Sequence, residues 1–163
     1  MIRPLALAAL ALAACTPEAV APPADTPAVT PATAPTLMAG EVAAPEGQLA
    51  VTSPRTQAKV SSPLVVEGFV QNDWMFEGVF PVTLEVDGAA IAESPGQQQA
   101  PDSWTNPGPV KFRAELVFAI EQETAATLVL KEAMPKPSDP GSDEHGPART
   151  LRVPVTLVPA PTP

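Results

Sequence analysis

The sequence predicts an all-β fold, a sandwich of about seven short strands behind a disordered Pro/Ala-rich tether. Three observations predict it. Past residue 48, apolar residues alternate with polar ones in short runs; turn-forming residues separate the runs; and no stretch carries a helical period. The 163 residues divide into a leader (1–14), a spacer (15–48), a folded domain (49–158) and a short disordered tail (159–163).

The leader, MIRPLALAALALAAC, has one basic residue, Arg3, and an apolar run too short to span a bilayer. Its last residues, Leu12-Ala13-Ala14-Cys15, resemble the lipobox of bacterial lipoproteins. That resemblance implies cleavage before Cys15, a diacylglycerol on its thiol and acylation of the new amino terminus. Small side chains at 13 and 14 suit a peptidase cleft, and a thiolate supplies the sulfur nucleophile. Two or three acyl chains, at about 0.8 kcal/mol per buried CH₂, hold a protein lastingly on a membrane. The expected location is therefore outside the cytoplasm, lipid-anchored to the bacterial cell membrane or outer membrane.

From Thr16 to Gln48 the chain is Ala, Pro and Thr with scattered acids and has almost nothing to bury. Pro17, Pro22, Pro23, Pro27, Pro31 and Pro35 remove backbone donors and favour extended conformations. Such a tether spans roughly 30 Å as a coil and about 100 Å fully extended in the polyproline form.

The strands follow in order. LAVTS, Leu49 to Ser53, is the first and Pro54 closes it. Leu64 to Gln71 follows, with Leu64, Val66 and Val70 on one face; Gly68 within it implies a bulge or a close backbone approach. Val82, Leu84 and Val86 alternate with Thr83, Glu85 and Asp87, and Asp87-Gly88 is a tight hairpin turn into Ala89 to Glu93. Phe112, Ala114, Leu116 and Phe118 alternate with Lys111, Arg113, Glu115 and Val117, Leu128 to Leu130 is a further run, and Leu151, Val153, Val155 and Leu157 end the domain. Pro154, inside that last strand, implies an edge or an unpaired donor position.

These elements, in this spacing, suggest an immunoglobulin-like sandwich, without the cysteine pair or the corner tyrosine of antibody domains. Residues from about Leu49 to Val158 also resemble the bacterial spore germination immunoglobulin-like domain family. The motifs that carry the resemblance are SPRTQAKVSSPLVVEGF, Phe76-Glu77-Gly78, Asp87-Gly88, Trp104 ahead of Phe112, LVLKE and Val153-Pro154-Val155. The resemblance implies a non-enzymatic envelope module.

Little in the composition points to catalysis. The net charge of −9 repels nucleic acid and anionic headgroups. The single histidine, His145, lies in the loop segment PSDPGSDEHGPA, where a nucleophile and base would not be held in register. Asp139, Asp143 and Glu144 accompany it in a spacing that matches no calcium loop. No catalytic residue, metal site or cofactor is expected.

Trp74, Phe76 and Trp104 stand apart, because the two tryptophans sit among polar turn residues instead of strand alternation. Loop aromatics offer a platform for a protein partner or a sugar face, or else cover one end of the core. The three are the expected partner surface. The expected function is a non-catalytic, lipid-anchored envelope module that binds or scaffolds another envelope protein; the alternative is a lipoprotein that binds a small ligand or glycan. The expected partners are the membrane, through the lipid on Cys15, and an envelope protein, with no nucleic acid.

Overall fold

A computed structural model describes residues 36–160; Cys15, the leader and most of the spacer lie outside the described residues. The described chain is all-β. Nine strands run β1 Glu41–Ala43, β2 Leu49–Ser53, β3 Lys59–Val60, β4 Leu64–Gln71, β5 Val79–Val86, β6 Ala89–Gln98, β7 Pro109–Leu116, β8 Thr124–Lys131 and β9 Ala148–Leu157. One turn of 3-10 helix, Asn72–Trp74, joins β4 to β5.

All nine belong to one hydrogen-bonded path, β1-β9-β8-β5-β6-β7-β4-β2 with β3 also on β9, and the sheet is curled into a half-barrel. The curl turns at β6. Its residues Ala89 to Gln97 pair with β5, whereas Gln97 and Gln98 pair with Arg113 and Phe112 of β7. The two sides of the curl therefore face one another across a common core. Val66, Val70, Val110 and Leu116 fill it from β4 and β7, and Phe80, Leu84, Leu128, Leu130 and Leu157 from β5, β8 and β9. Phe80 and Phe112 meet edge to face across it, centroids 4.9 Å apart, the geometry aromatic rings favour.

Local sequence explains most of these strands. The period-2 pattern of β7 is strictly exposed-buried from Pro109 to Leu116. Asp87 and Gly88 both have positive φ, as a type I′ hairpin turn requires. Gly68 meets both expectations for it: β2 bulges between Val51 and Ser53 opposite it, and a Cβ there would overlap the Ala50 carbonyl and touch the Phe112 ring. Pro154 lies where β9 has no neighbour on one side, between the stretch paired with β1 (148–150) and the stretch paired with β3 (156–157). Its carbonyl accepts from Gln57 N at 2.7 Å, and no donor is needed from its nitrogen.

Two sequence expectations need correction here. The spacer does not run unbroken to Gln48, because Glu41–Ala43 pair in parallel with Ala148–Thr150 and extend the folded domain by a strand. The strand is held by charge: the Glu41 carboxylate accepts from Arg152 Nε (2.9 Å) and Nη2 (3.1 Å), from Met38 N (3.0 Å) and from Lys131 Nζ (2.7 Å). Arg152 also donates to Glu85 at 2.8 Å. The second correction concerns β6, expected to end at Glu93. It continues through Pro95 and Gly96, because Pro95 pairs with Pro81 at a position that exchanges no hydrogen bond and Gly96 makes room for the Phe80 ring, 2.7 Å from where a Cβ would sit.

Candidate interaction surface

Of the three aromatics expected to form a partner surface, the structure removes one. Trp74 has no solvent exposure and belongs to the core. Its burial depends on residues far away in sequence. The indole Nε1–H donates to Gln48 Oε1 (3.2 Å), and the Arg149 guanidinium lies over the ring, 5.1 Å from its centroid. Arg149 is gripped in turn by Glu132, which accepts from Nε at 2.9 Å and from Nη2 at 2.8 Å. It also donates to Gln48 Oε1, to Asp73 Oδ2 (3.1 Å) and to the Asp73 carbonyl (3.3 Å). The Glu132 hydrogen bonds, against the opposing effect of burial, raise the Arg149 pKa above its ordinary value. This network ties the residue before β2, the 3-10 turn, the end of β8 and the start of β9 into one rigid end of the curl.

Phe76 and Trp104 stand on that end. Phe76 opens a two-residue turn in which it exchanges both backbone hydrogen bonds with Val79 (2.9 and 3.1 Å) across Glu77 and Gly78, both at positive φ. The turn pushes the Phe76 ring outward, where 47% of the residue is exposed. Trp104 is half-buried against the core, its ring 6.4 Å from that of Phe76 and tilted by 57°. Its loop is latched twice. Trp104 N donates to Gln98 Oε1 at 2.9 Å, and its carbonyl accepts from Asn72 Nδ2 at 3.3 Å. Asn72 N donates in turn to the Gly108 carbonyl (3.1 Å), which closes the loop onto the 3-10 turn. Neither Gln98 nor Asn72 was recognisable from sequence as a positioning residue, since each acts on a loop brought to it by the fold.

Beside Phe76 an open groove of about 430 Å³ runs over the outer face of β5 and β6. Phe76, Val79, Pro81, Pro95 and Ala133 give it an apolar lining, and Thr83, Ser94 and Glu93 add polar atoms. Glu93 is its only charged lining residue.

The acidic loop leaves from the same end, where Lys136 pairs with Asp73 at 3.6 Å. His145 bridges to Pro137 and its Nδ1 lies 3.1 Å from the Pro135 carbonyl, and among the described residues no three His, Cys, Asp or Glu side chains converge as a metal site would require. Comparison of the chain with family models, with curated proteins and with solved structures returns no match.

Proposed function

We propose that this chain is a non-catalytic module of the bacterial cell envelope, lipid-anchored through Cys15, whose domain is an immunoglobulin-like sandwich that binds a protein partner through Phe76 and Trp104. The observation that carries the binding surface is the outward-facing Phe76 ring beside the half-buried Trp104, whose loop is latched by Gln98 and Asn72. An apolar surface already ordered before binding loses little conformational entropy on contact, and exposed aromatics at the centre of a patch are what protein interfaces use as anchors.

The open groove favours this over the small-ligand alternative, since a small molecule needs a concavity that buries most of its surface. The immunoglobulin-like assignment is supported by strand spacing and by the meeting of Phe80 and Phe112 between the two sides of the curl. Lipidation is supported by Leu12-Ala13-Ala14-Cys15.

The test is a comparison of the anchored chain with its Phe76→Ala variant in cells of the organism that makes it. Loss of a specific crosslinked envelope protein, with the domain still folded and its melting temperature lowered by no more than a few degrees, is the expected result. Recovery of the same protein at the same yield from both would overturn the surface. Metabolic labelling with a palmitate analogue that persists in Cys15→Ala would overturn the anchor.

A further inference from the structure

Resting on the proposed Phe76–Trp104 surface, we infer that its partner is a cationic extended segment of another protein, in which lysine or arginine flanks proline or other apolar side chains. The groove beside Phe76 supplies the argument.

Its floor is apolar and holds a cross-strand pair of prolines, Pro81 on β5 opposite Pro95 on β6. Neither has an N–H, so this part of the floor offers no backbone donor, and an occupant meets ring carbons there. Apolar, aromatic-flanked grooves of this kind suit extended proline-bearing segments, which lose little freedom on docking.

Charge then sets the sign of the partner. Glu93 lines the groove, Glu77 is exposed next to Phe76, and neither has an ion-pair partner among the described residues. No Lys or Arg lines the groove. The full sequence carries a net −9. A segment bearing positive charge at either side of its apolar residues neutralises both carboxylates, while an acidic or phosphorylated one meets repulsion. The chain's own spacer is excluded on the same ground: residues 16–35 hold Glu18 and Asp25 and no basic residue. A second copy of this acidic chain is disfavoured likewise.

Two synthetic peptides of equal length, one alternating Lys with Pro and Trp and the other with Glu in place of Lys, provide the probe. Each is titrated into the full chain while backbone amides are followed by NMR. The Lys peptide is expected to shift Thr83, Glu93, Ser94 and the Trp104 indole, and the Glu peptide to leave them unmoved. Reversal of both charges, Glu77→Lys with Glu93→Lys, should weaken the Lys peptide roughly two- to thirtyfold, the range set by two exposed ion pairs. Equal binding of both peptides, shifts elsewhere on the domain, no shifts with either peptide, or no effect of charge reversal would overturn the inference. The same variants separate it from the surface beneath it. If Phe76→Ala abolishes crosslinking in cells and charge reversal does not, the surface stands and the cationic partner falls. If neither variant changes the crosslink, both fall.

Discussion

The Arg149 guanidinium lies 5.1 Å from the centre of the Trp74 ring, and Gln48 accepts from both side chains. One arginine thus fastens the residue before β2 and the 3-10 turn to the neighbouring end of β8 and start of β9, from which β2 is distant along the sheet path. Asn72, in the same 3-10 turn as Trp74, connects this base to the Trp104 loop by donating to the Trp104 carbonyl.

Removing the arginine should therefore cost far more than a surface charge. Arg149→Met leaves the buried Glu132 carboxylate without its cation and is expected to lower stability by about 3–5 kcal/mol. Arg149→Met combined with Glu132→Met should recover much of the loss, because two apolar groups need no compensation. Urea unfolding of the three chains checks this; a double variant no more stable than the single one would contradict it.

Trp74 and Phe76, two residues apart, should behave oppositely. Trp74→Ala empties a fully buried site and is expected to cost about 3–5 kcal/mol. Phe76→Ala removes a half-exposed ring that pairs with Trp104, and should cost no more than about 1 kcal/mol. Thermal unfolding separates the two.

Glu41 should make the attachment of β1 depend on pH. Burial alone would raise its pKa, but hydrogen bonds from Arg152, Lys131 and Met38 N outweigh burial and hold it at about 2, below the ordinary 4.5. In the unfolded chain the carboxylate takes up a proton near pH 4.5; in the folded one it does not until about pH 2. The contribution is complete above pH 4.5 and is lost as the pH falls toward 2, on the order of 3 kcal/mol in all. NMR signals of Ala44 and Ala148, whose amides donate to Thr150 and Gly40, should report release of the strand over that window. In Glu41→Gln the release should lose its pH dependence.

Gly68→Ala should destabilise by about 1–3 kcal/mol, since its Cβ meets a backbone carbonyl that cannot rotate away. Chemical denaturation measures the loss; an unchanged midpoint would show that the β2 bulge yields easily.

Strands whose identity lies in their own alternation were legible in the sequence: β2 and β4 fall within the expected bounds, and the Asp87-Gly88 turn and the gap at Pro154 were visible from residue type alone. What was hidden depends on distant partners. Glu41–Ala43 has no apolar pattern and is a strand because Arg152, 111 residues on, receives its carboxylate. Trp74 sits in a polar segment that looks exposed, and Arg149 and Gln48 bury it. Phe76 and Trp104 were legible as candidates, but their latching by Gln98 and Asn72 required the fold.

The most direct test places a photocrosslinking amino acid at position 76 of the full chain in its own cells, with the same group at position 69 as control, where Phe69 is exposed on β4. A discrete adduct with one envelope protein from position 76, and none from 69, is the predicted result. Equal adducts from both positions, or none from position 76, would contradict a partner-binding role for this surface.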